Sequence, residues 1–328
     1  MTVTIAVAEG DGIGREVIPP AARILRYVLP DAEFIPVNLG FAVWEKTGSA
    51  CSEDDMQILK ETDAILFGAV TTPPDPDYKS LLLQLRRELD LYANIRPVTS
   101  ACADLVVVRE NTEGLYSGRE EIGDERSTTL RVVTKTGSRR IAETACSLSR
   151  QRNRQIPLTI GHKANVLKSD VLFRDICLRT AESENLPVRC MLIDALCLDV
   201  LLHPRKYDVI VTTNMFGDIL SDVCGYLAGG LGLLPSANIG DRHALFEPVH
   251  GSAPDIAGRG IANPVAAIRS AALLLAYLEM QAEAERIEEA IQQTIASGVV
   301  TPDLGGAAST EDVGKNIFAR FDNLCRQN

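Results

Sequence analysis

Thr2-Val3-Thr4-Ile5-Ala6-Val7-Ala8-Glu9-Gly10-Asp11-Gly12-Ile13-Gly14-Arg15 opens the chain. Its first half is a β-rich run of strand length, its second half is a glycine turn, and a helical pattern begins near Arg15. The same alternation recurs downstream. Residues 63–68, 105–108 and 207–212 read as buried strands, and residues 80–89, 138–151 and 169–184 as helices between them. Strands that alternate with helices predict an α/β architecture with largely parallel strands. Residues 127–135 (STTLRVVTK) alternate β-branched side chains between charged stretches and read as a strand of an arm outside the main sheet.

The glycine turn is not a dinucleotide-fold fingerprint. Gly10, Gly12 and Gly14 give G-x-G-x-G, and Arg15 stands where G-x-G-x-x-G needs its third glycine. Gly229-Gly230-Leu231-Gly232 follows a helical stretch instead of a strand, which excludes it as well. Any nicotinamide cofactor would be bound outside the Rossmann arrangement.

At 328 residues the chain exceeds the comfortable size of one core, so two domains are expected. The net charge of −11 argues against a nucleic-acid surface and obliges a small anionic substrate to find locally placed arginines. The eight cysteines are scattered without C-x-x-C spacing, as in a cytoplasmic protein with reduced thiols. Nothing near Met1 has the basic, apolar and cleavage regions of a signal peptide. The apolar run at 270–277 is far short of the ~20 residues that span a bilayer.

Asp218 and Asp222, in Asn214-Met215-Phe216-Gly217-Asp218-Ile219-Leu220-Ser221-Asp222, are one helical turn apart on one face. Their mutual repulsion is relieved by a hard divalent cation such as Mg²⁺ or Mn²⁺; the plainer alternative is a solvated acidic face. Arg86, Arg96 and Arg109 each interrupt or end an apolar segment. An unpartnered charge there costs several kcal/mol, so either each has its own acid or the three converge on a di- or tricarboxylate.

The segments GDGIG (10–14), LYANIRP (91–97), VVRENTEGLY (107–116), HKANVL (162–167), TTNMFGDILSD (212–222) and EPVHGSAPDIAGRGIANP (247–264) resemble the β-decarboxylating dehydrogenases that oxidise 3-isopropylmalate, isocitrate or homoisocitrate. The resemblance implies the isopropylmalate-dehydrogenase-like doubly wound α/β fold. Its first domain would be 1–98 plus 229–328; its second would be 99–228, with an arm at about 120–137 clasping a partner. It implies a homodimer, or a tetramer built from it, whose active sites are shared: Lys163, Asn165 and Asp194 would enter the site of the other subunit. It also implies the chemistry. Asp194, Asp218 and Asp222 would hold Mg²⁺ or Mn²⁺, Lys163 would move the hydroxyl proton, Arg86, Arg96 and Arg109 would hold the substrate's carboxylate, and Tyr116 would protonate C3 after CO₂ leaves.

In this resemblance Asp255, after Ser-Ala-Pro, falls at the adenosine ribose. A carboxylate there accepts from the ribose hydroxyls and repels a 2′-phosphate, so NAD is expected, with Glu247, His250, Gly251 and Asn263 also lining its site. Substrate choice would rest on the helix leading into Arg86. Leu82 and Leu83 match the apolar positions that meet an isopropyl group, and bacterial homoisocitrate enzymes have an arginine in place of Leu83. Ser80 and Lys79 point the other way, toward a carboxylate-bearing substrate, and 118–140 resembles archaeal homoisocitrate-type enzymes of coenzyme B synthesis. The order is 3-isopropylmalate (leucine biosynthesis), then homoisocitrate, then isocitrate. A regulatory subunit of such an enzyme is the non-catalytic alternative, and retention of all these groups argues against it.

Overall fold

The computed structural model describes residues 2–75 and 77–327. Its elements begin with β1 (Thr4–Gly10), α1 (Gly14–Val28), β2 (Glu33–Pro36), α2 (Phe41–Thr47), α3 (Glu53–Glu61), β3 (Ala64–Ala69) and α4 (Leu81–Glu88). They continue with β4 (Ala93–Thr99), β5 (Asp104–Glu110), β6 (Glu120–Glu121), β7 (Thr128–Thr129), α5 (Lys135–Arg152), β8 (Leu158–His162), α6 (Lys168–Ser183), β9 (Val188–Leu192) and α7 (Ile193–Leu202). The remainder is β10 (Val209–Thr212), α8 (Asn214–Ala228), β11 (Pro235–Ile239), β12 (Ala244–Pro248), α9 (Val265–Tyr277), α10 (Gln281–Ala296) and α11 (Thr310–Arg326). Among the described residues no helix is long and apolar enough to cross a membrane.

Two compact units result, one of 1–84, 229–237 and 242–328, the other of 85–228 and 238–241. The first crossing between the units falls inside α4, between Gln84 and Leu85. In unit 1 the strand order is β2-β1-β3-β12-β11, with β1 parallel to β2 and β3, and β3 parallel to β12. Helices α1 and α9 pack on this sheet, and α10 and α11 pack on them. The opening glycine turn is shaped by close backbone approach. Gly10 and Gly12 have φ of +73° and +54°, and a Cβ on Gly12 would stand 2.0 Å from the Ser252 carbonyl oxygen. The Ile13 amide donates to that same carbonyl at 2.9 Å, so only glycine fits the contact.

Unit 2 has the order β4-β5-β10-β8-β9, with β4 antiparallel to β5 and the other pairs parallel. Its central strands are buried on both faces, as their continuous apolar runs require. Val106, Val108, Ile160, Val209 and Val211 meet Ile141, Ala145 and Phe173 from α5 and α6. The opposite face meets α7 and α8: a Cβ on Gly161 would touch Leu196 and Ile193, and one on Gly217 would touch Arg109.

The arm strand expected over 127–135 is much shorter. Only Thr128–Thr129 pairs, with Glu120–Glu121, and Val132 bridges back to Gly114. Thr134 then caps α5, its hydroxyl accepting from the Gly137 amide at 3.0 Å. Residues 118–130 are exposed, so the β-branched alternation has no core to face and a longer ladder gains nothing.

Candidate active site

Strand register places the arginines. In the antiparallel β4–β5 pair, Asn94 lies opposite Arg109 and Arg96 opposite Val107, so all four side chains share one face. That face is covered by α8, whose Asp218, Ser221 and Asp222 lie one turn apart along it. Arg96 and Arg109 are therefore buried yet partnered. Arg96 donates to Asn94 at 2.7 Å and Ser221 at 2.6 Å, and approaches Asp218 at 3.3 Å and Asp222 at 3.4 Å. Arg109, 1% exposed, donates to the Asn214 side-chain oxygen at 3.1 and 2.7 Å and to Asp218 at 2.5 Å. Asn94 and Asn111 both donate to the Asn238 side-chain oxygen, extending the network.

Electrostatics follow from this packing. Burial, then the Arg96 and Arg86 guanidiniums, pushes the Arg109 pKa down, while Asp218 opposes the shift. Burial alone would raise Asp218, but Arg109, Arg96, the Tyr116 hydroxyl and Arg86 outweigh it and hold its carboxyl below the usual range. Asp222 moves the other way, raised by burial and by the charge of Asp218 against the pull of Arg96. The two carboxylates face one guanidinium together, which makes them a pair of hard oxygen donors converging on a common cation. That donor set fits Mg²⁺ or Mn²⁺.

Tyr116 sits in the 3-10 turn Leu115–Ser117 and donates its hydroxyl to Asp218 at 3.0 Å. Burial and the Asp218 carboxylate raise its pKa, so it remains protonated at neutral pH. The turn is anchored from α4: Arg87 donates to the carbonyls of Tyr116 at 3.2 Å and Ser117 at 2.6 Å. Arg86, the preceding residue, is buried and lies close enough to press on Arg109 electrostatically. Leu82 and Leu83 are half-buried at four and three residues before Arg86, on the same side of α4 by helical spacing, and Ser80 immediately precedes the helix.

Lys163 and Asp194 form a separate pair, ammonium to carboxylate at 2.5 Å, with the lysine hydrogen bond drawing the Asp194 pKa down. Asp194 lies in the first turn of α7, where its negative charge favours the helix N-terminus. Asn165 is exposed two residues beyond Lys163. Among the described residues no three acidic, histidine or cysteine side chains of one chain gather tightly enough to hold a metal, so Asp194 does not join Asp218 and Asp222 within the chain.

In unit 1, Glu247 closes β12 and is buried. His250 Nδ1 stands 3.0 Å from the Gly251 carbonyl, which requires the proton on Nδ1 and leaves Nε2 an acceptor. That Nε2 is buried and has no hydrogen-bond partner among the described residues, an orphan that a donor on a bound nucleotide would satisfy. Gly251 and Asp255 are exposed, and no helix begins at Asp255; the chain turns through 254–258. Asn263 is engaged already: its amide donates to Asp303 and its oxygen accepts from the Val265 amide at the start of α9.

Asn214, Asn94, Ser221 and Arg87 were missed by sequence reasoning. Asparagines inside apolar segments (ANIR, TTNM) were the available signal for the first two; nothing local marks the others. Gly217 belongs with them. A Cβ there would stand 2.7 Å from both Cβ and Cγ of Arg109, which is wedged between strand and helix. In Gly217→Ala the ~1 kcal/mol gain in helix propensity is outweighed by overpacking of about 1–3 kcal/mol. The expected result is a lower urea midpoint and reduced kcat/KM, and a variant more stable than wild type would refute the wedge.

The sequence profile of the isocitrate/isopropylmalate dehydrogenases matches residues 4–317. A homoisocitrate dehydrogenase from Methanocaldococcus jannaschii is 45% identical over 336 residues, covering 96% of each chain. A 3-isopropylmalate dehydrogenase from Methanothermobacter thermautotrophicus is also 45% identical, over 98% of this chain and 99% of the relative. The crystal structure of a β-decarboxylating dehydrogenase from Thermococcus kodakarensis superposes with a TM-score of 0.89 at 44% identity, covering 99% of this chain and 98% of the other.

Proposed function

We propose, because the chain belongs to the isocitrate/isopropylmalate dehydrogenase family and is therefore a β-decarboxylating oxidoreductase, that it oxidises 3-isopropylmalate to 4-methyl-2-oxopentanoate with NAD. The observation that carries this reading is the charge balance around α8. Three buried guanidiniums (Arg86, Arg96, Arg109) gather where α8 brings its carboxylates: Arg96 and Arg109 pair with Asp218, Arg96 also reaches Asp222, and Arg86 lies close enough to lower the Asp218 pKa. Guanidiniums clustered beside a pair of hard oxygen donors suit a substrate that carries carboxylates and a metal-chelating hydroxyl.

Asp218 and Asp222 would hold Mg²⁺ or Mn²⁺, which would supply acidification of the C2 hydroxyl, and bound NAD would supply the hydride acceptor for C2. Lys163, as the neutral amine, takes the hydroxyl proton and becomes the ammonium. Arg86, Arg96 and Arg109 hold the β-carboxylate in place while the C3–carboxylate bond breaks, and its electron pair stays on C3 as CO₂ leaves. Tyr116, kept protonated by its surroundings, returns a proton to C3. Asn165, Glu247, His250, Gly251, Asp255 and Asn263 bind NAD, with the Asp255 carboxylate set against the 2′-phosphate of NADP.

Lys163, Asn165 and Asp194 serve the site of a second subunit, so the active form is a homodimer with two domains per chain, divided as the family resemblance implies. Support for that comes from α7 and α8, where Leu198, Leu202, Ile219 and Tyr226 are exposed at helical spacing, Tyr226 by 80%. A cytoplasmic enzyme of leucine biosynthesis is the cellular role that fits.

Initial rates of NAD⁺ and NADP⁺ reduction with 3-isopropylmalate, homoisocitrate, isocitrate and 3-methylmalate, with and without chelator, decide the reading. Faster NAD⁺ reduction with 3-isopropylmalate, abolished by chelator, is expected; no turnover of any of the four sinks the catalytic reading in favour of a regulatory subunit. Homoisocitrate is the second reading, favoured by Lys79 and Ser80 at the entry to α4. Leu83→Arg separates the two: it should raise the homoisocitrate-to-isopropylmalate ratio of kcat/KM by about tenfold or more. An unchanged ratio means that residue 83 does not meet the substrate.

A further inference from the structure

Asp170, in the first turn of α6, is a fully buried carboxylate whose place in the reaction is not obvious from its position. One oxygen accepts from the backbone amide of Lys163 at 2.6 Å. The other accepts from Arg131 at 2.5 Å. The Lys163 carbonyl in turn accepts from the Val166 and Leu167 amides, and the Ala164 amide donates to His162 Nδ1 at 3.1 Å. The backbone of the lysine turn is thus held by its own amides and by the Asp170 carboxylate seven residues on.

Arg131 spends its fork on the same region. It donates to Ser169 at 2.5 Å and to Thr213 at 3.2 Å, and its guanidinium carbon lies 5.5 Å from the centre of the Phe216 ring. Thr213 immediately precedes the helix that carries Asp218 and Asp222, and Phe216 lies in its first turn. Val132, the next residue, bridges to Gly114, two residues before Tyr116. One segment, 131–132, therefore touches the lysine turn, the start of the acidic helix and the tyrosine turn.

We infer that Asp170 and Arg131 are positioning residues for Lys163: the pair that buried Asp170 makes with Arg131 fixes the Lys163 backbone so that its side-chain nitrogen meets the substrate hydroxyl. The inference rests on the proton-transfer role proposed above for Lys163. Misplacing a reacting group by about 1 Å costs up to about 100-fold in rate, so a buried carboxylate on the backbone of such a residue is a sensitive point.

A merely structural pair would lower activity whatever stood at 163, and a double-mutant cycle separates the cases. Asp170→Asn and Arg131→Gln are each made in the native chain and in Lys163→Ala, and kcat and KM are measured with Mg²⁺, NAD⁺ and the best of the four acids. High enzyme concentration is used for the slow background. Each substitution should lower kcat about 10- to 100-fold in the native chain, with KM within about twofold, and change kcat less than about twofold beside Lys163→Ala. Equal losses in both backgrounds, or native kcat in the single variants, overturn the inference. Should Asp170→Asn fail to fold, the Arg131→Gln arm decides alone. A wild-type chain inert toward all four acids overturns the functional reading, and the inference with it; an active wild type with additive losses overturns the inference only.

Discussion

Asp218→Ala should leave kcat/KM lower by about 10²–10³-fold or more and the folded state weaker by about 3 kcal/mol. Both effects come from one carboxylate with three partners. Arg109, almost wholly buried, loses the carboxylate it meets at 2.5 Å, and Arg96 loses one of the two it reaches among the described residues. A buried cation stripped of its counter-ion costs about 3–5 kcal/mol, and the lower end applies because the Asp218 side chain is 31% exposed and water can enter. Tyr116 loses the acceptor of its hydroxyl as well. Asp218→Asn separates stability from chemistry. Its amide oxygen can still accept from Arg109, so much of the fold stability returns, but the charge that a divalent cation needs does not. Urea unfolding should rank wild type, Asn, then Ala, whereas NADH formation should be lost in both variants. Activity within about tenfold of wild type in Asp218→Asn would remove Asp218 from the metal site.

Local pattern and long-range register contributed unequally to what could be read in advance. The alternation of apolar runs with helical stretches announced the α/β class, because burial on both faces leaves a continuous run such as 105–108. The i, i+4 spacing announced that Asp218 and Asp222 share a face. Convergence of Arg96 and Arg109 was expected but not derivable locally, since it depends on Asn94 pairing with Arg109 across an antiparallel ladder. The same ladder explains why these arginines do not wait free for substrate: Asn214, Ser221 and Asp218 hold them from α8. Asn214 carried a signal but not its role, because an asparagine at a helix start is ordinarily a cap and here its oxygen serves a guanidinium 105 residues away. Arg131 and Asp170, 39 residues apart, have no pattern at all in common. The arm strand failed for the opposite reason: its alternation was real, but a ribbon exposed on both sides has no hydrophobic face to reward it.

Mixing two dead variants should restore activity. Lys163→Ala removes the proton-handling group and Asp218→Asn the metal carboxylate, and each homodimer should be inactive. The two residues belong to different clusters of one chain: Lys163 pairs with Asp194, Asp218 with Arg96, Arg109 and Tyr116, and no three-carboxylate group forms among the described residues. If each site takes Lys163 and Asp194 from the other subunit, a heterodimer holds one site with both residues intact and one with both lost. Random exchange makes half of the dimers mixed, and half of their sites whole, so about one quarter of wild-type activity should return under two-fold symmetry. The exposed Leu198, Leu202, Ile219 and Tyr226 supply the apolar face through which such subunits would exchange, and Tyr226→Asp should block recovery by keeping the chains apart. Recovery of nothing from a mixture verified to contain heterodimer would mean that each chain builds its own site, and Asp194 would then have to be replaced as the third metal carboxylate.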